Sequence, residues 1–398
     1  MKHPIAVCGH IYWVGVNDYE TQNFENLWPL PKGVSYNSYL IVDDKVALID
    51  TVKQAFLPNL VTKIEQLLPP GKTLDYLVIN HMEPDHSGSL KLFPKLFPEM
   101  KIIGNKRTAE FLEAYYGITS PIVVIEEGDV LDLGHHKLNF YITPMIHWPE
   151  TMMTYETTAK ILFSGDAFGG FGALEGGIFD DEVKTEYYEN ETLRYFSNIV
   201  GKFSPMVQKA LGRLKGLEIE TIAAAHGPIW RQNPNHILEQ YDRWSSHQTE
   251  PGAVIAYGSM YANTQRMAET LARAMAEAGV QEIRMHHAST SHLSYILTDA
   301  WRFKGLALGS CTYDNRLFPP LRLLVDFLKD KGVAQNRHLG IFGSYGWSGG
   351  AVKEIQEFAT QGNWTVVEPT VQVKGAPTEE TLEQCYVLGK NLAEAIKS

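Results

Sequence analysis

The chain has 398 residues, 44% hydrophobic and 20% charged, with 35 basic against 46 acidic side chains and a formal net charge of -11. That length exceeds what one core usually organises, so two domains are expected, and the acidic balance excludes a nucleic-acid surface, whose phosphates require a basic face. Cys8, Cys311 and Cys385 are too scattered for a disulfide framework, a zinc ribbon or a cysteine-ligated iron, which points to the cytoplasm, while no apolar run approaches the ~20 residues of a membrane span and no signal peptide opens the chain.

Apolar runs at 39–42 and 46–50, joined by Asp43-Asp44, read as a β-hairpin. The pattern then alternates: a strand at 77–79, a helix from about Ser87, a strand at 101–103, a helix from Arg107, and several strands between 121 and 163. Hairpins interleaved with helices predict a two-sheet sandwich flanked by helices. A helical stretch over 192–214 precedes a strand at 221–225 and an amphipathic segment at 237–244. The polar stretch 245–252, which ends in Pro251-Gly252 and has no periodicity, is the expected linker between a first domain at 1–248 and a second at 252–398. Beyond it, strands at 253–257, 282–285, 305–308, 338–342 and 365–367 alternate with helices, the pattern of a doubly wound five-stranded parallel sheet.

Seven candidate metal ligands fall in the first domain, each after a hydrophobic run: His81, Glu83, Asp85 and His86 in one stretch, then His147, Asp166 and His226. Strand ends are rigid places to mount ligands, with loops beyond them free for chemistry. So short a run as 81–86 cannot turn all its ligand atoms on one ion, so two ions are expected. His81 and Glu83 would serve one and Asp85 and His86 its neighbour, with His147 and His226 adding one ligand each and Asp166 suited to bridge. Four imidazoles and three carboxylates with no thiolate suit iron, manganese or zinc, and the carboxylate content tilts the set toward a redox metal. Any one of these residues alone is more simply a solvated loop residue or a helix cap; their joint order and context carry the inference.

The motif His81-x-Glu83-x-Asp85-His86, with His147, Asp166 and His226, resembles the metallo-β-lactamase fold as modified in the flavodiiron proteins, over essentially the whole chain. Hydrolases of that fold usually carry His where Glu83 stands. The resemblance implies an N-terminal αββα sandwich and a diiron centre, with one iron held by His81, Glu83 and His147, the other by Asp85, His86 and His226, and Asp166 between them.

In the second domain, Ser259, Met260, Tyr261, Ala262, Asn263 and Thr264 join a strand to a helix and resemble a flavodoxin phosphate loop. Small hydroxyl and amide side chains with free N–H groups at a helix N-terminus bind a dianion without a lysine. Neither a Walker A loop nor a G-x-G-x-x-G turn is present here. Two further strand-end loops complete the expected site, one carrying Ser310, Thr312, Tyr313, Asp314 and Asn315, the other Ser344, Tyr345, Gly346, Trp347, Ser348 and Gly349. Tyr313, Tyr345 and Trp347 are suited to flank an isoalloxazine ring, and a single phosphate loop implies FMN rather than FAD.

A flavin beside a carboxylate- and histidine-bound diiron centre is a reductase design. The resemblance implies reduction of O2 to water, of NO to N2O, or both, by a head-to-tail homodimer or a pair of such dimers. Because the chain has no cysteine-ligated rubredoxin module after the second domain, electrons are expected from a separate donor, a rubredoxin or a reduced deazaflavin. The segment 169–177, rich in glycine, is a candidate mobile cover over the site, and Tyr155 and His10 are positional candidates for proton supply. Two other function classes compete: a dinuclear zinc hydrolase with a regulatory flavodoxin-like domain, and a non-enzymatic electron carrier with a vestigial metal site. Glu83 and the flavin loops count against the first, and the complete ligand set against the second.

Overall fold

A computed structural model describes residues 3–119 and 122–398, so Pro121 at the edge of the expected strand region lies outside the described residues. The Asp43-Asp44 turn does close a hairpin, pairing Tyr39–Ile41 antiparallel with Ala47–Ile49. Around it forms a seven-stranded sheet, ordered Ile5–Cys8, Ile11–Trp13, Tyr39–Ile41, Ala47–Ile49, Tyr76–Val78, Lys101–Gly104 and Val123–Val124. A five-stranded sheet follows: Val130–Asp132, Lys137–Ile142, Met152–Glu156, Ile161–Gly165 and Thr221–Ala224.

Strand periodicity places the core between these sheets. Tyr39, Ile41, Ile49, Val78 and Ile103 from the first sheet and Leu138, Phe140, Ile161, Phe163 and Ala223 from the second share one buried cluster. The intervening Leu40, Leu48 and Leu77 are equally buried but lie outside that cluster, so the sheet is covered on its other face too. Both faces being covered explains why these strands are continuous apolar runs. The sandwich expected from the pattern is the fold observed.

Two local expectations fail. The helix does not start at Ser87: a single turn, Pro84–Ser87, begins on Glu83 with Pro84 in the first-turn position where its missing N–H costs nothing, and ends at Gly88. The helical stretch at 192–214 is four pieces in a longer run. Thr185–Tyr195 begins earlier than expected because its first turns are polar; a wide turn at Phe196–Val200 and a tight one at Gly201–Phe203 follow; Ser204–Leu214 restarts with a proline in its first turn.

The chain divides into two compact units, Met1–Asp242 and Arg243–Ser398. Helix Pro234–Ser245 runs to Ser245 and strand Glu250–Gly258 begins at Glu250, so irregular backbone is confined to 246–249. In the second unit the parallel strands are ordered Ile283–His287, Glu250–Gly258, Phe303–Tyr313, His338–Tyr345 and Thr365–Lys374, the 2-1-3-4-5 order of a flavodoxin-like sheet, and the two-residue strand Arg316–Leu317 pairs antiparallel at the end of the third. Ala253, Ile255 and Tyr257 face a core shared with Met267, Leu271, Leu388 and Leu392, while Val254 and Ala256 are buried on the opposite face. Helices on both faces follow from that alternation. Among the described residues, no helix is long and apolar enough to cross a membrane.

Candidate functional site

The first unit delivers its chemistry at strand ends. Strand Tyr76–Val78 runs out into Asn80 and His81, and the chain is held there by Asp50, whose Oδ1 accepts from the Asn80 N–H at 2.7 Å and the His81 N–H at 3.4 Å. The Pro84–Ser87 turn then points Asp85 and His86 back toward the same spot, and the Thr51 N–H caps the His86 carbonyl at 2.9 Å. Asp166 follows strand Ile161–Gly165, and His226 follows Thr221–Ala224. His147 lies in the connection between Lys137–Ile142 and Met152–Glu156.

All seven side chains converge in two groups: ligand atoms of His81, Glu83, His147 and Asp166 lie within 4.8 Å of one another, and so do those of Asp85, His86 and His226. In the first, Glu83 Oε2 is 3.4 Å from His81 Nε2 and 3.0 Å from His147 Nε2. In the second, His86 Nε2 is 3.5 Å from Asp85 Oδ1 and His226 Nε2 is 3.4 Å from Asp85 Oδ2. Asp166 divides its oxygens between them. Oδ2 faces His81 and His147 at 3.4 and 3.2 Å, and Oδ1 faces His86 and His226 at 2.9 and 3.6 Å. His147 therefore joins the Glu83 group and His226 the Asp85 group, an assignment that ligand spacing alone leaves open.

The hydrogen bonding behind the ligands fits metal. His81 Nδ1 lies 2.8 Å from Glu150 Oε1 and His226 Nδ1 lies 2.7 Å from the Ser35 carbonyl. Both partners only accept, so each Nδ1 carries a proton and Nε2 is the atom turned inward, free to bind a metal that displaces any proton on it. Nε2 of His86 and Nε2 of His226 then stand 3.1 Å apart, an approach that needs a proton or a cation between them. His81 Nε2 and both Asp85 carboxylate oxygens are buried without a hydrogen-bond partner, a cluster of orphaned ligand atoms that divalent ions would satisfy.

Electrostatics in the metal-free site agree. Burial opposes charge throughout, and neighbours decide each outcome. Burial raises Asp85 to about 7 against the pull of His86, and burial together with His86 lowers His226 to about 4. Against the same penalty, Asp85 and Asp166 lift His86 to about 9, and Asp166 and Glu83 lift His147 to about 9. His147 and His81 likewise hold Glu83 near 2, while His81 and His86 hold Asp166 well below the usual carboxylate range. Protons thus fill part of the role that cations would take.

Sequence reasoning missed the supporting residues. Tyr195, fully buried, donates to Asp166 Oδ2 at 2.9 Å, and its ring packs against Phe24, Phe171 and His226. Glu150, Asp50 and Ser35 are equally silent in local pattern. Of the proton candidates, Tyr155 donates instead to the Glu218 carbonyl at 2.6 Å, and His10 is exposed in the turn after the first strand. Nor is 169–177 a free flap. Phe171, Ala173 and Leu174 are buried, Gly169 lies against the carbonyls of Asp166 and His226, and Gly170 against Thr192, so 169–174 is part of the wall, while Glu175 and Gly176 are exposed. A separate cavity of about 340 Å³, lined by Phe24, Tyr36 and Lys53 among others, reaches Glu83 and Asp85.

In the second unit, the three strand-end loops enclose a cavity of about 320 Å³ lined by Ser259, Met260, Tyr261, Asn263, Thr312, Tyr313, Asp314, Ser344, Tyr345, Gly346 and Trp347. Cys311 and Gly375 line it as well. Gly375 was missed although it ends the fifth strand, where its N–H donates to the Tyr345 carbonyl at 2.7 Å. Six expected residues stand behind the lining. Ala262, in the left-handed region at φ +61°, turns the chain into helix Asn263–Glu277; Thr264 hydrogen-bonds Ser344 at 2.9 Å; Ser310 accepts from the Phe318 N–H at 3.2 Å; Ser348 donates to Asn315; Gly349 packs on Gln372. Ser259 Oγ is buried without a partner at the start of the helix, an orphan where a phosphate would sit. Trp347 is 86% exposed and Tyr261 82%, a degree of exposure that a bound aromatic ring would relieve.

Comparison with known proteins agrees with both halves. Residues 34–227 match the ODP family β-lactamase model and residues 255–389 the flavodoxin model. A nitric oxide reductase of Moorella thermoacetica is 36% identical over 100% of both chains. Among solved structures, rubredoxin oxygen:oxidoreductase of Desulfovibrio gigas superposes with a TM-score of 0.94 at 30% identity, covering 99% of this chain and 98% of that one. The flavodiiron protein of Giardia intestinalis also superposes at 0.94, with 29% identity and 99% and 97% coverage. With its ligand motif, its sandwich and its flavodoxin-like sheet all matched end to end, the chain belongs to the flavodiiron protein family.

Proposed function

We propose that the protein is an oxidoreductase that reduces O2 to water, NO to N2O, or both, at a diiron centre, with electrons passing through FMN from an external donor. The observation that carries this reading is the division of Asp166, one oxygen toward each of two preformed three-residue ligand sets. His81, Glu83 and His147 would hold one iron and Asp85, His86 and His226 the other; the FMN would lie in the loop cavity of the second unit. Two ferrous ions with a reduced flavin supply the four electrons that O2 needs, and two suffice to couple a pair of NO molecules.

The protein's own residues prepare that chemistry. Three acidic and four imidazole side chains, with His81 and His226 held by their Nδ1 partners, would hold the two irons, and the 340 Å³ cavity that reaches Glu83 and Asp85 would admit a diatomic gas. Phe24, Phe171 and Tyr195 wall off His226 from water, so charge in the site is stabilised by fixed groups rather than by solvent. Tyr195 holds the Asp166 carboxylate, which would lie between the two irons, through its 2.9 Å hydrogen bond. In the second unit, Ser259 and the helix N-terminus at Asn263 would bind the phosphate, and Trp347, Tyr345 and Tyr313 the ring.

The donor is a rubredoxin, as the name of the Desulfovibrio relative indicates for that protein, with a reduced deazaflavin as the alternative. Electron transfer falls steeply with distance, and a head-to-tail homodimer, alone or paired, would bring one chain's flavin to its partner's irons. The scattered cysteines, all free, support a cytoplasmic setting. The test is iron, zinc and FMN analysis followed by anaerobic titration of the reduced protein with each gas. Zinc in place of iron, or a flavin that neither gas reoxidises, would reject the reading.

A further inference from the structure

The two ligand sets are alike in their first atoms and unlike behind them. His81 Nδ1 is 2.8 Å from Glu150 Oε1, and the same oxygen accepts the Met82 N–H at 2.9 Å. Glu150 is 0% exposed and its other oxygen has no hydrogen-bond partner, so among the described residues His81 is the group that its carboxylate pairs with. Asn105 fixes it in place, donating to the Glu150 carbonyl at 2.5 Å while its own Oδ1 caps helix Lys106–Phe111. On the other side, His226 Nδ1 meets the neutral Ser35 carbonyl at 2.7 Å, and His86 Nδ1 is buried with no partner. Asp50 does not even this out, because it acts on both His86 and His81.

We infer that Glu150 is a positioning residue that makes the two irons electronically unequal, rendering the iron held by His81, Glu83 and His147 the more easily oxidised. A carboxylate that accepts a hydrogen bond from the Nδ1–H of a metal-bound imidazole strengthens the Nε2 donor, and partners of this kind behind a ligand are worth roughly 10–100-fold in metal affinity or activity. In the buried site an additional full negative charge one imidazole away from the metal favours the ferric over the ferrous state. A peptide carbonyl provides only a partial charge, and an unpartnered Nδ1 provides none. The step concerned is a one-electron loss, ferrous to ferric, at one iron, with the electron leaving to an external acceptor. The two one-electron steps of the centre are therefore split, and Glu150 widens the split from the low-potential side.

The inference rests on the diiron reading proposed above, and the test separates the two. Glu150→Gln keeps an oxygen that accepts from His81 and Met82 and removes only the charge. Parent and E150Q proteins, each analysed for iron, are titrated anaerobically with redox mediators while the mixed-valent state is followed by electron paramagnetic resonance and Mössbauer spectroscopy. Two irons in the parent uphold the diiron reading whatever the potentials do; their absence rejects that reading. The expected result for E150Q is an upward shift of the lower step by at least tenfold in its equilibrium constant, about 59 mV for one electron, with a smaller change in the upper step. Equal shifts in both steps, no shift, or a shift confined to the upper step would overturn the role of Glu150. Should E150Q bind less iron, retention of one ion upholds the one-sided role and loss of both overturns it.

Discussion

Replacing Tyr195 by Phe deletes a single oxygen from the floor of the metal site. The ring contacts with Phe24, Phe171 and His226 survive, so no cavity larger than that oxygen opens. What is lost is a 2.9 Å hydrogen bond from a fully buried hydroxyl to Asp166 Oδ2. Hydrogen bonds to charged acceptors are worth about 1.5–3 kcal/mol net. Asp166 keeps His81, His86 and His147 within 3.4 Å, so it is not orphaned and the cost falls at the lower end, ~1.5 kcal/mol. For a unit of this size each kcal/mol moves the melting temperature by roughly 2–4 °C, so the metal-free Y195F protein should melt ~3–6 °C lower. Metal affinity should fall about tenfold or more, because the bridging carboxylate loses the group that orients it. Thermal denaturation of the stripped protein and competition titration with a chromophoric chelator read the two effects. Unchanged melting and unchanged affinity together would refute the assignment of Tyr195 as the support of Asp166.

In metal-free protein, His86 and His147, both raised to about 9 from 6.5, hold protons in the folded state that the unfolded chain releases. Their stabilisation is complete below pH 6.5 and is lost as pH climbs through 9, by up to ~1.4 kcal/mol per pH unit for each proton. Metal binding needs both imidazoles neutral, so the loaded protein should gain stability over the same interval; urea midpoints that move with pH in the same direction with and without metal would contradict this. Gly350→Ala places a Cβ 1.7 Å from the Asn315 carbonyl and must displace the loop that lines the flavin cavity. At ~1–3 kcal/mol of overpacking, FMN should bind roughly 5–150-fold more weakly with metal content unchanged, as flavin fluorescence on dilution would measure. Ser259→Ala, which removes the buried hydroxyl at the phosphate position, should weaken FMN binding about tenfold, while riboflavin, lacking the phosphate, should bind both proteins equally.

Much of the fold is written in short-range pattern. The continuous apolar runs at 253–257, 305–308 and 338–342 could only be strands buried on both faces, and the sheet built from them is the one observed. The ligand run His81 to His86 was legible because four candidate ligands sit within one turn-sized stretch. Glu150 and Tyr195 were not, because their partners are 69 and 29 residues away and nothing in their neighbourhoods marks them. Which histidine joins which set is a matter of strand register across two sheets, so ligand spacing left it open and the family resemblance alone implied it. The glycine-rich segment 169–177 misled because glycine serves close packing as readily as mobility: a Cβ at Gly170 would lie 2.5 Å from Thr192 Oγ1. The break at Phe196–Val200 left no local mark until Pro205, nine residues after the wide turn begins.

The most direct test of the central claim is to reduce the purified protein anaerobically, determine iron, zinc and FMN per chain, and add O2 or NO in measured portions while following the flavin spectrum. Two irons and one FMN per chain, with the flavin reoxidised by at least one gas and water or N2O as the product, is the expected outcome. A zinc-filled site whose flavin stays reduced under both gases would contradict it and return the site to hydrolytic chemistry.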